Sequence, residues 1–190
     1  MSQNYQPLRN LDLRLAIYDW ETDRALARET YGEINNWDVS KITDFSKAFQ
    51  YAEDFDSDIS SWDVSKGTNF SQMFDGASAF NQDISSWDVS KGTNFSQMFE
   101  RAYAFDQDIG SWDVGNGTDF SQMFDGISAF NQDISSWDVS NVVDMSYMFN
   151  NCHFNQPINN WNTSNVRDMS YMFHSAGYFD QQLGSWDVSN

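Results

Sequence analysis

The chain has 190 residues, and 10 Lys plus Arg face 28 Asp plus Glu, so its formal net charge is −18. Phosphate backbones and anionic lipid surfaces repel such an acidic chain, which argues against nucleic-acid binding. The single Cys excludes a disulfide framework, and no apolar run approaches the roughly 20 residues that span a bilayer, whereas 17% aromatic residues predict a substantial core.

The first 32 residues lack the pattern that fills the rest of the chain. Residues 1–10 are polar and without periodicity, so we expect a flexible lead-in, and they show no secretion signal. Residues 11–32 contain strong helix formers and end in Gly32, which predicts a helical N-terminal cap on the repeats that follow. The side chains expected to contact the first repeat are Leu15, Trp20, Leu26 and Tyr31.

Residues 33–190 are a repeat region that ends in an incomplete repeat. Tryptophan marks the period, at Trp37, Trp62, Trp87, Trp112, Trp137, Trp161 and Trp186. Ile or Leu precedes each Trp by three residues, and Val or Thr follows it by two. A fixed period of this length predicts stacked units that bury apolar columns against their neighbours. We therefore expect the Trp column to be a structural core ladder and not a ligand-binding surface.

Two spacings alternate within each repeat. Phe70, Met73, Phe74 and Ala77 lie at i, i+3, i+4 and i+7, which predicts a short helix. The residues before each Trp alternate in character, which predicts extended segments. The predicted fold class is thus an α/β repeat solenoid of about six units of 25 residues. Because strands stack more closely than helices, this stack should curve with its strands on the inside.

Three columns of Asp and Asn also keep the period: one follows the Trp directly, one precedes it by four residues, and one lies near the predicted helix start. Stacked carboxylates repel by about 1 kcal/mol even in water. Either Ca²⁺ or backbone N–H groups in turns and caps offset that repulsion. Asn69, Asn94 and Asn162 keep the acceptor without the charge, which favours turns. We predict no cofactor and no metal ligands, with calcium as the less favoured alternative.

No set of side chains converges on a catalytic arrangement. His153 and His174 fall in different repeats, and neither has the partners of a triad or of a metal cluster. Cys152 falls in a small apolar column and is expected to be a buried thiol. The sequence therefore predicts a protein that is not an enzyme.

The sequence stops in mid-repeat, which leaves its last apolar layer without a following repeat. Such a layer is a template for association. The candidate end-on interface comprises Leu183, Trp186 and Val188. The alternatives are that this half-repeat frays or that a longer natural chain was truncated.

The repeat is purest as WDVSNVVDMSYMF over residues 137–149, followed by FNQPI over residues 154–158. It resembles the repeat of the BspA-like leucine-rich-repeat surface proteins, first described as a Mycoplasma lipoprotein domain of unknown function. The resemblance covers about residues 31–190 and implies a leucine-rich-repeat-like solenoid, displayed on a surface, that binds other macromolecules. Four repeats carry Phe where the usual pattern has Met, and three of these carry Gly where it has Val: Gly67, Gly92 and Gly117.

These observations predict a non-enzymatic repeat scaffold that mediates protein–protein interaction or macromolecular assembly. Its expected partners are another protein or a second copy, with no nucleic acid and no membrane insertion. A cell-surface adhesin or recognition module is the alternative, resting on the resemblance, and a calcium-loaded solenoid comes third. Without a signal peptide, an intracellular site or a place within a particle is expected, whereas family analogy points to the cell surface.

Overall fold

The computed structural model describes residues 8–189, so most of the predicted lead-in, residues 1–7, lies outside the described residues, as does Asn190. The chain begins with helix α1, Asn10–Thr22, and helix α2, Arg24–Tyr31, and a 3-10 turn follows at Ile34–Asn36. The carboxylate of Asp23 accepts the Leu26 N–H at 3.0 Å and so begins α2. The helix ends at Gly32, whose φ of 82° is one that glycine adopts easily. Neither helix has the length and apolarity that crossing a membrane requires.

Helices α1 and α2 cover the first repeat. Trp20 is almost fully buried, and its ring packs edge-on against that of Trp37, with centroids 5.8 Å apart. Its indole N–H donates to Ser57 Oγ at 3.2 Å. The buried face of α1 runs through Leu13, Ala16, Ile17 and Trp20, which places Leu15 on the opposite, exposed side. The expected contacts through Leu15 and Leu26 are therefore wrong, since both side chains are exposed.

From Trp37 to Ser189 the described chain contains neither an α-helix nor a strand. Successive repeats meet backbone to backbone through single parallel bridges, and these join Asp44 to Asn69, Asn69 to Asn94, Asn94 to Asp119, Asp119 to Asp144, and Asp144 to Asp168. The predicted α/β, leucine-rich-repeat-like solenoid of extended segments and short helices is therefore wrong. The predicted curvature loses its basis as well, because it assumed helices on one side and strands on the other.

The segment predicted to be helical is a series of turns, and its hydrogen bonds explain why. The N–H of Met73 donates to the Phe70 carbonyl, three residues back, at 3.2 Å. The N–H of Gln72, however, donates to Ser96 in the next repeat at 2.9 Å, and Gln72 has a left-handed φ of 58°. Helices pack about 8–10 Å apart, whereas the stacked rings of Phe74 and Phe99 are only 5.6 Å apart. One helix per repeat does not fit this spacing.

Aromatic rings form the core as parallel columns. In one column, neighbouring ring centroids are 5.4 to 5.9 Å apart, through Phe49, Phe74, Phe99, Phe124, Phe149 and Phe173. A second column, Phe55, Phe80, Phe105, Phe130, Phe154 and Phe179, packs beside it. Within one repeat the two columns touch closely, as for Phe74 and Phe80 at 4.0 Å. One continuous core therefore runs from the helices to the last repeat.

The three glycines that depart from the usual motif make room for phenylalanine rings. A Cβ atom on Gly92 would lie 2.2 Å from Cζ of Phe95, and Gly67 and Gly117 stand in the same relation to the Phe three residues later. Where that later residue is Met, as at Met145, the earlier position holds a buried Val, here Val142. The first repeat accommodates Ile42 together with Phe45, both buried.

Candidate functional site

The recurring Asp and Asn side chains are acceptors within turns. Asp88 Oδ1 accepts the N–H of Ser90, two residues later, at 3.0 Å. The hydroxyl and the N–H of Ser90 lower the pKa of the Asp88 carboxyl. The same bond to the residue two positions later is made by Asp38, Asp63, Asp113, Asp138, Asn162 and Asp187, by Asp58, Asp83, Asp108 and Asp133, and by Asp44, Asn69, Asn94, Asp119, Asp144 and Asp168. The expectation of turn-forming carboxylates and amides is confirmed, and Ser or Gly two residues later recurs with them.

Across residues 8–189, no three His, Cys, Asp or Glu side chains are grouped so that they could hold a metal ion. The described residues therefore provide no set of ligands for the calcium alternative.

The tryptophans use their indole N–H groups to join repeats. Trp87 donates to the Ile59 carbonyl of the preceding repeat at 3.3 Å, and Trp112 donates to that of Ile84 at 3.1 Å. The same bond recurs for Trp62, Trp137, Trp161 and Trp186. Trp37 through Trp161 are buried, whereas Trp186 is half-buried. The rings of the buried tryptophans are thus enclosed by protein.

Sequence reasoning missed a carboxylate column, formed in successive repeats by buried Asp75 and Glu100 and by half-buried Asp125. Asp75 and Glu100 are 2% and 3% exposed. Burial raises the pKa of Glu100, and the charges of Asp75 and Asp125 raise it further. Amides flank the column: Gln50 donates to Asp75 Oδ2 and Asn150 donates to Asp125 Oδ1, both at 2.8 Å. Asp75 Oδ1 is buried without a hydrogen-bond partner in the described structure. The sequence signal was available, since these five residues share one position of the repeat.

The other candidate reactive groups lie apart. Burial raises the pKa of the Cys152 thiol to about 12, so the thiol stays protonated at neutral pH. His153 packs against Tyr178, with ring centroids 4.3 Å apart, whereas His174 Nδ1 lies 3.0 Å from Asn150 Oδ1. The two histidines therefore have different neighbours and do not share a site.

The last repeat leaves partly exposed the apolar side chains whose equivalents in the middle repeats are buried. We define the end layer as Met169, Phe173, Phe179, Leu183 and Trp186, all half-buried and packed on the core from one side. A shallow depression of about 350 Å³ lies on it, lined also by Tyr171, Met172 and His174. Of the three residues predicted to form an interface, Leu183 and Trp186 lie in the end layer, whereas Val188 is 72% exposed beyond it.

A row of backbone donors accompanies these side chains. In the preceding repeat the N–H groups of Met145, Tyr147, Phe149 and Asn151 donate to carbonyls of the last repeat at 2.8–2.9 Å. The equivalent donors of the last repeat are the N–H groups of Met169, Tyr171, Phe173 and Ser175. Within the described residues, none of these four has a hydrogen-bond partner. The end layer therefore combines apolar side chains with unpaired backbone donors, a combination that polypeptide recognition uses.

The repeat motif is shared with a known family. The family model described as Mycoplasma protein of unknown function, DUF285, matches residues 21–129 and again residues 108–190. Comparison with curated proteins gives no match. Comparison with solved structures gives none. Because the two matches together extend over most of the sequence, the chain belongs to the DUF285 family, whose function is unknown.

Proposed function

We propose that the protein is a non-enzymatic repeat scaffold that mediates protein–protein interaction by binding a polypeptide on its end layer. The observation that carries this proposal is the pairing of half-buried Phe173, Leu183 and Trp186 with the unpaired donor row beside them. The finer relation to the BspA-like surface proteins is part of the same proposal and is supported by the motif at residues 137–149.

The energetic argument compares the end layer with an interior layer. Trp112 is 4% exposed because the next repeat covers it, whereas Trp186 is only half-buried. Covering apolar surface releases about 25 cal/mol per Å². The donor row adds direction, since a hydrogen-bonded partner replaces water on each N–H for a net gain of about 0.5–1.5 kcal/mol per bond. A lipid or a detergent would cover the apolar part but could not pair the donors in a fixed register.

Site-specific photocrosslinking tests the proposal, with Tyr171 and Tyr103 as matched positions. Both tyrosines are exposed, 58% and 50%, but only Tyr171 borders the depression on the end layer. A benzophenone amino acid replaces one or the other in cells that make the protein, and mass spectrometry identifies the adducts.

We expect an identified polypeptide to be crosslinked at position 171 and not at position 103, and the adduct to disappear when Trp186→Asp is added. Equal crosslinking at both positions, or no protein adduct at position 171, would contradict the proposed function. Circular dichroism of each variant controls for folding.

A further inference from the structure

We infer a second binding site, separate from the end layer: the groove between helix α1 and the first repeat binds an extended polypeptide segment that carries arginine or lysine. The groove has a volume of about 540 Å³, and its walls are α1 and residues 47–54. Ligand-binding clefts have volumes of about 300–1,000 Å³. Described residues form both walls, and neither wall contains an end of the sequence.

The groove leaves two backbone carbonyls of the first repeat without partners. In every later repeat, a row of carbonyls accepts N–H groups of the preceding repeat, as the Met73 carbonyl does from Phe49 at 2.8 Å. The equivalent carbonyls of Ala48 and Gln50 accept no hydrogen bond within residues 8–189, and both residues line the groove. Helix α1 takes the place of a preceding repeat here, but in this row its side chains donate to the Ser46 carbonyl alone among the described residues.

One backbone donor lies beside these acceptors. The N–H of Ala79 donates to the Glu53 carbonyl of the preceding repeat at 3.0 Å. Its equivalent in the first repeat, the N–H of Asp54, has no partner in the described part of the chain. A complementary ligand therefore supplies two donors and one acceptor. A polypeptide backbone has both kinds of group, and alternate N–H groups of an extended segment point to one side, whereas a polyamine supplies donors alone.

Three carboxylates determine the charge of the same groove. Glu21, Glu53 and Asp54 line it, and among residues 8–189 none of them forms an ion pair. Partial burial raises the pKa of Glu21, Arg24 lowers it, and the charge of Asp54 raises it. The second repeat has Ser and Ala where the first has Glu53 and Asp54, so these two charges are not part of the repeat motif.

The side chain of arginine or lysine complements this charge. Within the described residues these acids are not grouped to hold a metal ion, which favours an organic cation. Arg14 lies seven residues before Glu21 on α1, about 10 Å away, and donates to Ser46 Oγ at 2.9 Å. The acidic end of the groove is therefore open to a cation from the ligand. Exposed Tyr18 and Tyr51 border the groove, and their ring faces suit a guanidinium or ammonium group.

An NMR titration of the whole, isotopically labelled chain tests the inference with the peptide acetyl-Val-Arg-Val-Arg-Val-amide. We expect saturable binding of one peptide per chain, with the largest amide shifts at Thr22 and at residues 48–54. A matched peptide with citrulline in place of arginine keeps the shape and removes the charge. It should bind about tenfold more weakly, because hydrogen bonds to charged groups are the stronger ones.

Two methylated peptides test the backbone bonds. Methylation of the amide nitrogen of every Val, or of every Arg, removes the donors from one side of the extended peptide only. We expect one of the two peptides to lose binding and the other to keep it, because a single set of N–H groups faces the carbonyls of Ala48 and Gln50.

Paired variants of the chain separate the groove from the overall negative charge. Glu21→Gln with Asp54→Asn removes two charges from the groove and should weaken binding about tenfold or more. Asp88→Asn with Asp113→Asn removes two charges from exposed turns of middle repeats and should leave binding unchanged. Circular dichroism verifies folding, and the methylated peptides keep the test decisive if a variant misfolds.

No binding of the arginine peptide, or an equal loss from both pairs of substitutions, would overturn the inference. Binding that survives in both methylated peptides would also overturn it, as would spermidine that binds with equal affinity and produces the same shifts. Shifts confined to the end layer would reject the groove as the site and leave the proposed function intact.

Discussion

A valine at position 92 should force Phe95 out of its place and destabilise the stack. The added Cβ would lie 2.2 Å from Cζ and 2.8 Å from Cε2 of Phe95, and 3.0 Å from the Val89 carbonyl oxygen. Ordinary carbon–carbon contacts are about 3.5–4.0 Å, so the ring must retreat by more than about 1 Å. Phe95 is fully buried between Phe70 and Phe120, each with its ring centroid 5.5 Å away, so such a movement must displace a neighbouring ring.

The expected magnitude follows from two opposing effects. Overpacking a well-packed core costs about 1–3 kcal/mol, and the confinement of this ring on both sides puts Gly92→Val near the upper limit. Replacing glycine at an unstrained position restricts the unfolded chain and returns about 0.4–1 kcal/mol. We therefore expect a net loss of about 2 kcal/mol in the free energy of unfolding, measured by urea denaturation with tryptophan fluorescence.

A second substitution provides the control, because this chain already contains the compensating pair. The combination Gly92→Val with Phe95→Met recreates in a middle repeat what Val142 and Met145 form further along, where both are fully buried. The double variant should recover most of the loss, with a coupling of about 1–3 kcal/mol between the two sites. A double variant no more stable than Gly92→Val, or a Gly92→Val chain as stable as the original, would refute the steric reasoning.

Other substitutions probe the remaining contacts of the stack. Trp112→Phe removes the indole N–H and leaves the buried Ile84 carbonyl without it, so we expect a loss of about 2–4 kcal/mol in urea denaturation. Asp75→Asn should raise the melting temperature by about 2–4 °C at pH 7, since it removes one charge from beside Glu100. The folded state holds the pKa of Glu100 above its usual value, so the repulsion that Asp75→Asn relieves fades as Glu100 becomes protonated. The difference in melting temperature between the two chains should therefore shrink towards pH 4, and a constant difference would contradict this reasoning. The Cys152 thiol, with a pKa of about 12, should resist a thiol reagent at pH 8 in the native chain and react at once in urea, so rapid native reaction would show that the site opens.

The period and the burial of its apolar residues could be read from the sequence, but the backbone between them could not. Phe70, Met73, Phe74 and Ala77 are all fully buried, as a helical face would have them. The same spacing arises when turns three residues long alternate with bonds to the next repeat. The distance between repeats decides whether a helix or a series of turns forms. The stacked rings set that distance, with centroids 5.6 Å apart for Phe74 and Phe99. The sequence of a single repeat gives no information on that distance.

The side chains of the end layer could be predicted from the sequence more readily than its backbone donors. Leu183 and Trp186 stand out because they belong to apolar columns, and both lie in the end layer. The unpaired N–H groups of Met169, Tyr171, Phe173 and Ser175 have no signature in sequence, because every residue except proline carries such a donor. These donors are recognised only by comparison with the preceding repeat, whose equivalent N–H groups donate to carbonyls of the last repeat. Asp75 and Glu100 also recur with the period of the repeat, but only their burial distinguishes them from the exposed acidic residues.

The alternate N–H groups at residues 145, 147, 149 and 151 all donate towards the following repeat. The stack consequently has a polarity that does not depend on how many copies it contains. Deleting one internal unit of 25 residues, or duplicating it, would change the length of the stack while keeping the direction of its hydrogen bonds. Recombination among near-identical units can therefore vary the number of repeats without altering the way in which neighbouring repeats bond.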